Sequence, residues 1–202
     1  MKNILVINSS ISGSAGKSVE LVQHFLAQLP QAQHKVTEID LNATPLTHLT
    51  MPEMGSWMTA AAERNAEQHQ LAAISDDLVA KVKAADVLVL GVPMYNFAIP
   101  SQLKALLDRL ARVGLTFKYT EQGPVGLLND KPVVFALTRG GVYANGPADS
   151  QVPFLKTFFN FLGLTQLHFV YAEGLNMGPD SAEQAMSKAK TQLSAIGKQL
   201  FA

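Results

Sequence analysis

Four short and nearly uninterrupted apolar runs constrain this chain more than any other feature: Ile4 to Ile7, Val87 to Val92, Val133 to Leu137 and, more loosely, Leu167 to Tyr171. A strand with one wet face alternates apolar and polar residues, whereas a strand covered on both faces does not, so these runs predict a buried parallel sheet. A weaker segment, Val36 to Leu41, alternates. Between the runs the apolar spacing becomes helical, at Leu21, Phe25, Leu29, then Leu71, Ile74, Leu78, Val82, then Leu103, Leu106, Leu107, Leu110, and finally Leu193, Ile196, Leu200. Asp180 followed by Glu183, directly after Pro179, predicts a capping-box start for the last helix. Strands that alternate with helices imply right-handed crossovers and a doubly wound α/β fold. The 202 residues hold little more than one ordinary domain, so a single domain over 1–202 is expected. Asn42 to Met58, with two Pro and three Met, reads as a surface loop leading to a helix from about Asn65.

Composition narrows the function. Sixteen Lys plus Arg balance sixteen Asp plus Glu, which leaves no basic excess for phosphate backbones or anionic membranes. The absence of cysteine excludes thiolate metal sites and cysteine nucleophiles, and is compatible with a reducing compartment. The apolar N-terminal run stops at Asn8-Ser9-Ser10, short of a signal-peptide core, and no stretch approaches the roughly 20 apolar residues of a membrane span. A soluble, cytoplasmic protein is expected.

In open α/β sheets ligands sit beyond the carboxyl ends of the strands, and three such loops carry suggestive chemistry. The first, Asn8 to Ser18, offers Ser10, Gly16, Lys17 and Ser18 at the start of a helix, where free N-H groups and the helix dipole favour an anion such as phosphate. It misses the nucleotide triphosphatase P-loop, because Ile11 stands where that motif needs its first glycine. The second, with Pro93, Met94, Tyr95, Asn96 and Phe97, joins aromatics and amides on a stiffened backbone and suits a flat heterocycle. The third, Thr138-Arg139-Gly140-Gly141, lets main-chain N-H groups approach a ligand carbonyl closely. A phosphate site, a ring platform and a carbonyl clamp on one sheet edge together describe a mononucleotide such as FMN.

Other chemistries lack their residues. The five His are scattered without metal-ligand spacing, so no metal site is expected, and neither a G-x-G-x-x-G nor a G-x-S-x-G motif is present. Asp40 reads as a strand-end cap, and Asp76-Asp77 with Lys81 and Lys83 reads as a solvated helix face. Four Phe between Phe154 and Phe161 spread too widely around a helix for one core stripe, which predicts a second apolar partner and hence a homodimer.

At Pro93-Met94-Tyr95-Asn96-Phe97 and Thr138-Arg139-Gly140-Gly141, and further at Ser9-Ser10-Ile11, Phe117-Lys118-Tyr119-Thr120 and Ala172-Glu173-Gly174, the chain closely resembles the FMN-dependent NADH-azoreductases. These are flavodoxin-like NAD(P)H:quinone and azo-compound reductases. The resemblance implies a three-layer sandwich with a five-stranded parallel sheet in order 2-1-3-4-5, FMN as cofactor, and NADH or NADPH as donor. It implies two-electron hydride transfers to a quinone or an azo bond, with ping-pong kinetics and no catalytic side chain beyond the cofactor. Ser10 and Gly16-Lys17-Ser18 would hold the phosphate, and Met94 to Phe97 with Thr138 to Gly141 the ring. In the implied homodimer, Phe161 of the partner subunit faces a flavin walled by Phe117 and Tyr119. Gly16 and Lys17 depart from the Ser and Gln common in the family, exchanging a hydroxyl for a cation. A flavodoxin-type electron carrier is the alternative, and some relatives have been named acyl carrier protein phosphodiesterase, an activity for which no nucleophile is visible.

Overall fold

A computed structural model describes residues 1–202. Five parallel strands, β1 (Lys2–Asn8), β2 (His34–Asp40), β3 (Val87–Pro93), β6 (Val133–Thr138) and β7 (Leu167–Ala172), form the central sheet in the order β2-β1-β3-β6-β7. This is the order 2-1-3-4-5 once the separate two-stranded hairpin, β4 (Phe117–Thr120) and β5 (Gly123–Gly126), is left out of the count. The helices are α1 (Lys17–Ala27), α2 (Met51–Met58), α3 (Ala66–Ala84), α4 (Ser101–Leu110), α5 (Gln151–Phe161) and α6 (Pro179–Leu200).

The continuous apolar runs have the expected cause. Ile4, Val6, Val87, Val89, Val134 and Ala136 pack with Leu21, Phe25 and Leu193 of α1 and α6, while Leu5, Ile7, Leu88, Leu90 and Phe135 pack with α3, α4 and α5 through Leu78, Leu107 and Phe159. Successive residues of a strand face opposite layers, so both faces need apolar side chains. β2 is one of the two edge strands and is largely exposed, unlike the buried run of β3.

Local signals succeeded where the partner is local. Asn65 caps α3 through a reciprocal pair of bonds with Gln68, close to the expected start. Three expectations are corrected. The last helix begins at Pro179 with Gly178 as its cap at φ 120°, so Asp180 lies inside the first turn and caps nothing. Pro prefers the first helical position, and the residue before it needs a backbone here that only glycine adopts readily. The buried face of α3 is Ala72, Ser75, Leu78, Val79 and Val82, leaving Ile74 exposed. The segment read as a surface loop contains α2, whose Glu53 and Ser56 are buried. Glu53 pairs through both carboxylate oxygens with Arg109 of α4, at 2.6 and 2.7 Å.

Asp76, although its side chain is 40% exposed, is not a free surface charge. It binds Arg64 at 2.6 Å and Arg112 at 2.9 Å, and Arg112 stacks on Trp57 of α2. Asp77 and Lys81 do form the exposed pair expected of that face.

Asp130, just before β6, clasps the connection from α5 to β7. It accepts from the Thr165 backbone N-H at 2.8 Å, the Thr165 hydroxyl at 2.7 Å and the Gln166 side chain at 3.2 Å. Burial pushes its carboxyl up, but these hydrogen bonds outweigh that and hold it at about 2, against an ordinary 3.8. A carboxylate whose folded pKa is depressed stabilises the fold above its unfolded pKa and loses that contribution as pH falls through the folded value. Asp130→Asn should therefore lower the melting temperature at neutral pH, with the gap to the parent closing between about pH 4 and pH 2. Thermal melts across that range that keep a constant gap would remove the charge from the explanation.

Candidate functional site

The loops after β1, β3 and β6 meet at the carboxyl edge of the sheet, where their backbone amides are left without partners. In the first loop, α1 starts at Lys17, and the N-H groups of Lys17, Ser18 and Val19 have no acceptor within the chain. Ser10 sits opposite, its hydroxyl accepting from Ser12 N-H at 3.2 Å and lying 3.3 Å from the Tyr95 hydroxyl. A Cβ on Gly16 would lie 2.4 Å from Ser10 Oγ, so glycine there is what lets Ser10 close over the turn. The Ser18 hydroxyl is fully buried and without a hydrogen-bond partner. Lys17 pairs with Glu20 at 2.9 Å, and Glu20 also takes Lys190 of α6 at 2.7 Å. The bonds to Lys190 and Lys17 hold the Glu20 carboxyl below its usual range. Two lysines thus share one carboxylate at the cavity wall, which leaves one positive charge over.

In the second loop Tyr95 and Ala98 exchange two backbone hydrogen bonds of 3.0 Å, closing a two-residue turn over Asn96 and Phe97. Both central residues are left-handed, at φ 49° and 67°. For phenylalanine this conformation is uncommon, and such strain concentrates at functional sites. The turn is held by Ser150, whose hydroxyl donates to the Phe97 carbonyl. Phe97 stays half-exposed against the edge of Tyr143, and the Asn96 and Phe97 N-H groups are unpaired.

The third loop has its carbonyls pinned and its donors free. Leu175, Asn176 and Gly174 donate to the carbonyls of Arg139, Gly140 and Gly141 at 3.1, 3.0 and 2.9 Å, while the N-H groups of Gly140, Gly141 and Val142 find no acceptor. Met94 N-H donates to the Thr138 carbonyl at 2.8 Å, joining this loop to the second.

Together these loops border a cavity of about 960 Å³, lined by Ser10, Gly16, Lys17, Pro93, Met94, Tyr95, Thr138, Arg139 and Gly140 among the residues expected from sequence. Ser18, Asn96, Phe97 and Gly141 belong to the same loops without lining it. The Arg139 side chain is turned inward, fully buried and bonded to Asp149, Glu173 and Gln151, so only its backbone serves the cavity. Sequence reasoning missed Ser12, Leu175, Asn176 and the α6 wall of Glu183, Met186 and Lys190. The loop after β7 was open to discovery by the same sheet-edge rule that found the other three.

Phe117, Tyr119 and Phe161 lie elsewhere. Phe117 packs on Phe161 at 4.3 Å between ring centroids and on Tyr119 at 5.4 Å, within one chain. Because α4 and α5 run back against the strands, their C-terminal ends and the hairpin sit at the amino edge of the sheet, opposite the cavity. The three aromatics therefore act as one cluster, and a division with Phe117 and Tyr119 on one subunit's cavity and Phe161 on the other's does not match this packing.

A model of the flavodoxin-like fold family matches residues 2–196. The chain belongs to this family. Among its relatives, an FMN-dependent NADH:quinone oxidoreductase of Alteromonas mediterranea is 50% identical over 199 residues, spanning 98% of this chain and 100% of that one. A protein of the same description from Alcanivorax borkumensis is 47% identical over 197 residues, 96% of this chain and 98% of its own. Among solved structures of the family, an azoreductase from Bacillus anthracis is 30% identical with a TM-score of 0.89, over 98% of this chain and 100% of that one. An FMN-dependent NADH-azoreductase of B. anthracis, solved in complex with FMN, has a TM-score of 0.89 at 25% identity over the full length of both chains.

Proposed function

We propose that this protein is an FMN-dependent NADH:quinone oxidoreductase that also cleaves azo bonds, with residues 1–202 working as one unit. The observation that carries the reading is that the three loops bordering one cavity each carry unpaired backbone donors, at 17–19, 96–97 and 140–142. A mononucleotide needs donors at its phosphate and along its ring edge, and both are preformed here. FMN, when bound, would supply the redox chemistry, a two-electron transfer from NADH, or NADPH, to the acceptor.

The chain supplies binding, orientation and exclusion of water. Ser10, Gly16 and the α1 N-terminus, including Lys17 and Ser18, hold the phosphate, with the Ser18 hydroxyl gaining the partner it lacks. Pro93, Met94, Tyr95, Asn96 and Phe97 support the ring, and the Gly140 and Gly141 donors meet its carbonyl edge, next to Thr138 and Arg139. Fixed donors where negative charge develops cost no reorganisation during the reaction. Lys17 and Lys190 share Glu20, so one positive charge remains near the phosphate.

The acceptor site is completed by a second copy. The loops bordering the cavity expose Ile11, Phe97, Val142 and Met177, and the hairpin region exposes Val113, Leu115, Tyr119 and Val125. Two apolar patches at opposite ends of one chain are complementary in a homodimer, which brings Phe117, Tyr119 and Phe161 of the partner subunit over the ring. With no cysteine to oxidise and a pyridine nucleotide as donor, the cytoplasm is the compartment that fits, and no helix is long and apolar enough to cross a membrane.

Purified protein should be yellow, elute as a dimer, and oxidise NADH with menadione along parallel double-reciprocal lines, since donor and acceptor use the site in turn. Colourless protein that binds no added FMN would refute the reading, and a fully active monomer would refute the shared site. Ser18→Ala separates the phosphate contact from folding. The apo-protein should lose no stability, because the hydroxyl is buried without a partner. FMN affinity should fall by about 1–2 kcal/mol while riboflavin affinity is unchanged.

A further inference from the structure

Glu173 follows β7 and lines no part of the cavity, yet it organises the loop that does. Its Oε1 accepts from the Tyr143 N-H at 2.8 Å, the Ala144 N-H at 2.9 Å and Arg139 Nη1 at 3.0 Å. Those bonds turn the donors of residues 143 and 144 inward. The loop after β7 takes the carbonyls of residues 139–141, so the N-H groups of residues 140–142 are what the segment has left to offer a ligand. Arg139 is also bound by Asp149 at 2.9 Å, and none of the three side chains is more than 13% exposed. One guanidinium between two carboxylates leaves a net charge of −1 directly behind the donor loop.

We propose that Glu173 is a positioning residue that aims the 140–142 donors at the ring of the cofactor, and that its uncompensated charge keeps the reduction potential of that cofactor low. The proposal rests on the reading of the cavity as an FMN site. The two effects oppose each other on the reduced ring, which carries more negative charge than the oxidised one: donors in front stabilise it, and a fixed carboxylate behind them disfavours it. A carboxylate in this place keeps the donors aimed while leaving reduced cofactor a willing giver of electrons.

Two substitutions separate the effects, read by titrating apo-protein with FMN and riboflavin and by measuring the potential of bound FMN. Glu173→Gln keeps an acceptor for the two N-H groups and removes the charge. Oxidised FMN should then bind within about threefold of the parent, while reduced FMN gains about tenfold relative to it, an upward shift of about 30 mV for a two-electron couple. Glu173→Ala removes the acceptor as well, and FMN and riboflavin should both lose about tenfold, because the loop serves the ring and not the phosphate. A Glu173→Gln potential that is unmoved or lower overturns the electrostatic role, and parent-like riboflavin affinity in Glu173→Ala overturns the positioning role. A parent protein that binds no FMN overturns the function itself, which distinguishes that failure from this one. Circular dichroism melts of both variants identify any loss that is merely unfolding.

Discussion

Gly126→Ala is expected to lower stability by about 3 kcal/mol or more and the melting temperature by roughly 6–12 °C. A Cβ at this position would lie 2.1 Å from Gly163 N, 2.2 Å from the Leu162 carbonyl carbon and 2.5 Å from Gly163 Cα. All three are backbone atoms, so no rotamer change relieves the overlap. Gly163 itself is at φ 94° and gives its hydrogen bond to Asn160, which leaves the turn after α5 little freedom to retreat. The relief available is for β5 to lift off the end of α5, breaking the bond from Leu128 N-H to the Leu162 carbonyl and parting Phe117 from Phe161. In the proposed dimer those aromatics cover the partner's cavity, so acceptor turnover should fall further than FMN binding. Denaturant titration that places Gly126→Ala within 1 kcal/mol of the parent would show that this close approach is dispensable.

Glu53→Ala is expected to cost about 3–5 kcal/mol, because it strands a charge. The Arg109 side chain is 1% exposed and its guanidinium meets both Glu53 oxygens, with the Thr47 and Ala105 carbonyls taking further donors at 2.8 and 3.0 Å. Carbonyls hydrogen-bond a cation without neutralising it. Replacing both partners by apolar residues of similar size, Glu53→Leu with Arg109→Met, should recover most of the loss, since neither buried charge then needs a counterpart. Chemical denaturation of the single and double variants decides the matter. A double variant as unstable as Glu53→Ala would mean that the geometry of the pair, rather than its charge balance, holds α2 against α4.

The effects of these two substitutions were not foreseeable from local sequence, and the reason is the same in both. Gly126 and Gly163 are separated by 37 positions, and Glu53 and Arg109 by 56; neither pair leaves a periodic trace. The existence of α2 was nearer to being legible. Thr50 stands three residues before Glu53 and its hydroxyl accepts from the Glu53 N-H, which is a capping signature that the prolines and methionines around it obscured. What the segment lacks is an apolar stripe, because the helix is anchored by a charge instead.

The parallel sheet is legible in the apolar runs alone, since only strands covered on both faces tolerate stretches such as Val133 to Leu137. So are α1 and α4, whose apolar stripes recur at helical spacing, and the position of the proposed ligand loops after β1, β3 and β6, because a doubly wound sheet opens at its carboxyl edge. Tertiary structure alone decided which atoms those loops present. Lys17 reads from sequence as a free cation at the phosphate and Arg139 as part of a backbone donor loop, yet Glu20 pairs with the first and Asp149 and Glu173 hold the side chain of the second inward. It also decided that Phe117, Tyr119 and Phe161 form one cluster at the far edge from the cavity. Periodicity reports which face of an element is buried, whereas the partner of a charge or an aromatic ring is chosen by chain segments distant in sequence, and only folding brings those together.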